Sequence, residues 1–133
     1  MKEVKGKKLW KTYFWFSMIL TLLILIGLIF VDIDIFVEDN IFSYIYDFIF
    51  LIISIFSFIG LYGFIYENKY FNKELWIFVF LILAIEGISE IITYFNNYQF
   101  LFILVAYITL IPFYYALYQY SFKMDYIWSE KND

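Results

Sequence analysis

Four long runs of almost wholly apolar residues follow one another along this chain, with only short polar segments between them. The first, Thr12 to Val31, carries no charged side chain at all. About twenty residues of helix, at roughly 1.5 Å each, match the ~30 Å hydrocarbon core of a bilayer. Lipid offers no hydrogen-bond partners to a peptide group, so a run of this kind must satisfy its backbone internally as a helix. The other runs cover residues 41–66, 75–95 and 98–120, joined by a polar loop at 67–74 and flanked by ends at 1–11 and 121–133.

The basic residues fix a direction for these spans. All nine are lysines. Lys2, Lys5, Lys7, Lys8 and Lys11 precede the first run, Lys69 and Lys73 separate the second from the third, and Lys123 and Lys131 follow the fourth. The turns after the first and third runs contain none. Because lysine-bearing segments stay on the cytoplasmic side, both termini are expected in the cytoplasm, with Val31 to Asn40 and Asn96 to Gln99 outside. Short loops place consecutive spans side by side and antiparallel. The expected fold is an all-α membrane protein: a single domain over residues 1–133, four transmembrane helices in an up-down-up-down bundle. The expected location is the inner (plasma) membrane, and the lysine-only basicity with heavy Ile, Phe, Tyr and Asn use reads as bacterial. A signal peptide is the competing reading of the first run, but the run is too long for one and is followed by Asp32-Ile33-Asp34 rather than a small-residue cleavage pattern.

Composition narrows the chemistry. The sequence is 65% hydrophobic and 27% aromatic, well beyond the usage of soluble domains. Cysteine and histidine are absent, which removes the common ligands of zinc, haem and iron–sulfur clusters and the common acid–base catalyst of neutral pH. Arginine is absent as well, so there is no bidentate fork for phosphate. No metal, no cofactor and no enzymatic activity are expected. A net charge of −4 with scattered lysines argues against a nucleic-acid partner.

Within the spans, small residues mark close packing. Ser54, Ser57, Gly60 and Gly63 line the second run at intervals of three, a pattern that lets another backbone approach. Pro112 removes one hydrogen bond inside the fourth run and is expected to bend it near Ile108. Trp10, Trp15, Trp76 and the tyrosines 114, 115, 118 and 120 read as anchors at headgroup depth. Sliding the second half over the first by 52 residues pairs Tyr62 with Tyr114, Tyr66 with Tyr118 and Trp76 with Trp128, so the second and fourth runs read as possible copies.

The acids inside the spans carry the functional question. Glu86 falls near the middle of the third run and Glu90 lies one turn further out on the same face; Thr93 and Asn97 continue the stripe at helical spacing. Asp47 is expected at a depth similar to Glu90. With no lysine at those depths, each carboxylate must be neutralised, hydrated or coordinated to a cation. Two readings follow. In the first, these groups hydrogen-bond across helices, and the protein is an interaction, accessory or regulatory subunit working through packing with itself or a membrane partner. In the second, they form a proton or cation path in a small transporter or channel. No motif in the chain carries a family resemblance.

Overall fold

The computed structural model describes residues 6–30 and 41–129. Among these the backbone is helical and contains no strand. Helix α1 spans Lys7–Phe30, α2 Ile41–Tyr66, α3 Lys73–Tyr94 and α4 Phe100–Tyr118; a π-helical stretch, Gln119–Lys123, leads into the short α5, Asp125–Trp128. Three segments, Phe48–Tyr66, Lys73–Tyr94 and Phe100–Lys123, are long and apolar enough to cross a membrane. These are the dimensions of a multi-pass membrane protein, and its exposed apolar side chains are suited to lipid. Lys2, Lys5, Lys131 and the expected outer connection at 32–40 lie outside the described residues.

The chain divides into two compact units, Met1–Phe58 and Ile59–Asp133. In the first, α1 and the amino-terminal part of α2 meet where buried Phe14 packs edge-on against Phe58, ring centroids 6.2 Å apart. Ser57 is buried, and its hydroxyl donates to the Ser54 carbonyl in its own helix. Back-bonding of this type satisfies a buried hydroxyl without a neighbouring helix. Leu22, Leu23, Ile45 and Phe48 project outward.

The second unit packs the end of α2 with α3, α4 and the carboxy-terminal helices. Leu61, Ile65, Trp76, Leu117 and Tyr120 are wholly buried at its centre. Glycine makes that centre possible. A Cβ on Gly60 would lie 2.6 Å from the Trp76 ring and 2.8 Å from Leu117, and one on Gly63 would lie 2.5 Å from the Tyr120 hydroxyl. The two glycines therefore form slots filled by large side chains of α3, α4 and the π-helical stretch. Trp76 and Tyr120, read from the sequence as anchors at headgroup depth, are wholly buried, their rings meeting edge-on with centroids 5.6 Å apart. The physical reason for their burial is that a glycine, having no Cβ, lets a large ring seat directly against its helix.

The connection between α2 and α3 is built from hydrogen bonds that this core supplies. Glu67 adopts a left-handed backbone conformation, φ 55°, and the Asn68 N–H donates back to the Gly63 carbonyl at 3.1 Å, closing α2 with the reversed turn usual at helix ends. The Tyr120 hydroxyl donates to the Asn68 carbonyl at 2.8 Å and accepts from the Tyr70 N–H at 3.1 Å. The Trp76 indole donates to the Tyr70 carbonyl at 2.6 Å, and the Trp128 indole donates to the Tyr120 carbonyl at 2.8 Å. Asn72 then caps α3, its side-chain oxygen accepting from the Leu75 N–H at 3.1 Å. The capping residue satisfies an orphan donor, and Glu74 in the first turn complements the helix dipole.

At the other end of α3 the turn is short, with the Asn97 N–H bonded to the Tyr94 carbonyl and the Phe100 N–H to the Asn97 carbonyl. Such a turn makes α3 and α4 antiparallel. Helix α4 starts at Phe100 and continues through Pro112 to Tyr118. Pro112 leaves one gap in its ladder, having no N–H to donate, and at Gln119–Lys123 the wider π-helical winding takes over, with Tyr120 and Ser121 buried in the core.

Candidate functional site

The antiparallel register of α3 and α4 sets Tyr107 opposite Glu90 and Tyr114 opposite Leu83. The Tyr107 hydroxyl donates to Oε2 of Glu90 at 2.6 Å. The Tyr114 hydroxyl donates to the Leu83 carbonyl at 3.1 Å, a second bond to a group already used by its helix. Glu86 is half-buried one turn from Glu90 and interacts electrostatically with both phenols. Gly87 sits between the two carboxylates in sequence and makes the approach possible: a Cβ there would come within 2.9 Å of the Tyr107 ring and 3.1 Å of the Tyr114 hydroxyl. Two glutamates and two tyrosines are thereby gathered across one helix pair.

Beside this cluster runs a groove of about 480 Å³, lined almost entirely by carbon. Ala84 and Gly87 of α3 line it together with Tyr107, whose hydroxyl is bonded to Glu90, and Tyr114, whose hydroxyl is bonded to the Leu83 carbonyl. It opens to the outside along the exposed edges of Ile88 and Ile111. Tyr107 thus has an apolar face on the groove and a polar tip on Glu90.

The remaining residues singled out by sequence fall elsewhere. Thr93 is exposed, and its hydroxyl donates to the Ser89 carbonyl of its own helix at 2.8 Å. Asn97 is exposed in the turn, its side-chain oxygen accepting from the Gln99 N–H. The outward stripe therefore ends, as a cluster, at Glu90. Asp47 lies on α2, and its side chain is outside the described residues. Gly60 and Gly63 serve the core of the second unit; Ser54 is exposed and gives its carbonyl to Ser57. Among the described residues no three acidic side chains come together in a way that could hold a metal ion.

Sequence reasoning passed over Tyr107, Tyr114 as a hydrogen-bond donor, and Gly87. A signal for them existed. Tyr107 and Tyr114 are seven residues apart, on one face of α4, and the short turn at Asn96-Asn97 sets that face against α3. Counting outward from the turn brings the two phenols level with the glutamates.

No protein-family model matches the chain, and no curated protein or solved structure shows significant similarity to it.

Proposed function

We propose that this protein is a small multi-pass protein of the inner (plasma) membrane that acts as an interaction, accessory or regulatory subunit through helix packing. In this reading α1 to α4 cross the membrane up-down-up-down with both ends cytoplasmic, following the one-sided distribution of lysine. The observation that carries the functional part is the use made of Glu90. Its carboxylate accepts from Tyr107 of the neighbouring helix, and the intervening glycine slot is filled by the same ring. A polar group employed this way fixes the register of two helices, at a gain of order 1 kcal/mol. What such a locked pair offers a neighbour is shape. Affinity purification of the tagged full chain from native membranes in mild detergent, with mass measurement, tests the proposal. A second membrane protein or a defined homo-oligomer in the complex is the expected result; a strict monomer with no companion is the result that defeats it.

The second reading, a proton- or cation-coupled transporter or channel, is favoured by the half-buried Glu86 next to Glu90 in a segment without lysine. Intramembrane ionisable residues are the usual pointers to ion paths. Flux through liposomes containing the parent or Glu86→Gln separates the readings. Parent flux that is lost in Glu86→Gln supports transport, and no parent flux above that of empty liposomes excludes it.

A further inference from the structure

We propose that the groove between α3 and α4 binds one anionic phospholipid, an acyl chain lying along Ala84 and Gly87 and the phosphate held at Lys123. The inference requires only that α3 and α4 cross a bilayer, and it is independent of the subunit and transport readings.

The groove has the lining and the length of a site for one chain. It is lined almost entirely by carbon, so an alkyl chain gains contact there without stripping water from polar groups. From Phe80 to Ile91 it follows α3 for about 16 Å at 1.5 Å per residue. That is close to half of the ~30 Å hydrocarbon layer, the depth of a single leaflet. One acyl chain therefore matches the groove from end to end, whereas a transmembrane helix of a second copy would run well beyond it.

A positive charge stands at one end. Phe80 and Tyr118 are the groove residues nearest the lysines that flank the helix pair, and Phe122 packs against both, with ring centroids 5.7 and 5.3 Å away. Lys123 comes next. The winding here is π-helical, the Met124 N–H donating to the Gln119 carbonyl five residues back at 3.1 Å. Lys123, five residues after Tyr118, accordingly follows it by about one turn. In an ordinary α-helix the same step would carry it about 140° around the axis. The π-helical stretch thus brings a lysine toward the face of α4 that lines the groove.

The neighbouring charges leave this lysine available. Lys73 lies seven residues before Phe80, on the same face of α3, but its ammonium is held by Asp125. Lys123 is exposed and has no ion-pair partner among the described residues. Its long apolar stem can lie along the protein while the ammonium stays at headgroup level. An anionic phospholipid supplies both a chain for the groove and a charge for Lys123. A zwitterionic lipid brings its own cation beside the phosphate, which weakens the attraction, and an apolar helix of a second copy brings no anion at all.

Photolabelling of the full chain in phosphatidylcholine nanodiscs tests the proposal. The probe is phosphatidylglycerol carrying a diazirine near the end of one acyl chain, and labelled peptides are mapped by mass spectrometry. Labelling is expected to concentrate on residues 87–91 and 107–111, the end of the groove away from Lys123, and to be displaced by excess phosphatidylglycerol but not by the same excess of phosphatidylcholine. Lys123→Gln should lower it about fivefold, the effect expected of one lysine close to an anionic headgroup. Lys69→Gln, the same loss of charge in the exposed loop, should leave it unchanged. Ala84→Leu should abolish labelling by filling the groove. Should that variant misfold, Lys123→Gln with retained helical circular dichroism still decides the matter. Unchanged labelling of Lys123→Gln, an equal loss in Lys69→Gln, or equal displacement by phosphatidylcholine would each overturn the proposal. So would a groove blocked by a second copy, seen as a crosslink between chains through α3 and α4.

Discussion

Replacing Gly63 by alanine puts the packing argument at risk in a single methyl group. The new Cβ would stand 2.5 Å from the Tyr120 hydroxyl and 2.6 Å from the adjoining ring carbon, where ordinary contact begins at 3.4 Å. The ring has to retreat by about 0.9 Å, and it is wholly buried. Its hydroxyl is bonded at 2.8 Å to the Asn68 carbonyl and at 3.1 Å to the Tyr70 N–H, so the retreat carries both bonds beyond useful length. Overpacking of this size costs about 1–3 kcal/mol, and two weakened hydrogen bonds add about 0.5–1.5 kcal/mol each. Alanine gains about 1 kcal/mol of helix propensity over glycine. The net expectation is a destabilisation of about 1–5 kcal/mol. Gly27 in α1 is the internal control, since a Cβ there meets nothing within 4 Å; Gly27→Ala should be neutral or stabilising. Thermal unfolding of both variants in one detergent, followed by near-ultraviolet circular dichroism, makes the comparison. If Gly63→Ala melts with or above the parent, Tyr120 does not occupy the slot and the reasoning fails.

Four further substitutions probe other parts of the second unit. Tyr107→Phe removes the bond to Glu90 and should cost about 0.6 kcal/mol, at most ~1.7, the range for hydrogen bonds between transmembrane helices; reversible unfolding in detergent with denaturing surfactant measures it. Ser121→Ala removes a buried hydroxyl that has no hydrogen-bond partner among the described residues, so the same assay should show stability unchanged or raised, because no bond is lost and a desolvated polar group is gone. Lys73→Ala breaks an exposed ion pair with Asp125 and should change stability by less than about 1 kcal/mol, with the difference shrinking in high salt. Tyr126, beyond the apolar segments, has its phenol pushed up to about 12 by burial and then by the bond it donates to Glu67. Because the folded value exceeds the ordinary one, the stability this contact contributes is complete below pH 10 and fades as the pH rises through about 12; carbon-13 tyrosine resonances should place the Tyr126 ionisation there, and Glu67→Gln should lower it.

The helices themselves were legible because lipid simplifies the code. A run such as Ile41 to Tyr66 announces itself by apolar length alone, and α2 occupies those same residues. Ends were harder. The third run was expected over 75–95, but α3 begins at Lys73. Asn72 is an N-cap, and capping chemistry rather than hydropathy sets where a helix starts. The π-helical stretch at Gln119–Lys123 left no trace in composition either. It arises where Tyr120 and Ser121 turn inward, a tertiary requirement with no local propensity behind it.

The candidate site shows where hydropathy reasoning stops. Periodicity located Glu86 and Glu90 on one face of a helix but could not supply their partners, since any of several helices might have faced them. It extended the stripe to Thr93, whose hydroxyl is spent on its own backbone. The same logic assigned aromatic residues to headgroup depth because tyrosine and tryptophan prefer it on average. That average hides a second use. In lipid, a phenol in a helix interface brings a large apolar ring and one donor to the same place, and it can stabilise a carboxylate or an irregular turn without a charge of its own. Tyr107 does the first at Glu90 and Tyr120 does the second at Asn68 and Tyr70. Each stands opposite a glycine, Gly87 for Tyr107 and Gly63 for Tyr120. In a chain without histidine or arginine, pairs of glycine and tyrosine on neighbouring helices therefore do what charged pairs do elsewhere. Such pairs, matched in depth across a short turn, are the pattern that a reading of the sequence for buried polar sites should seek.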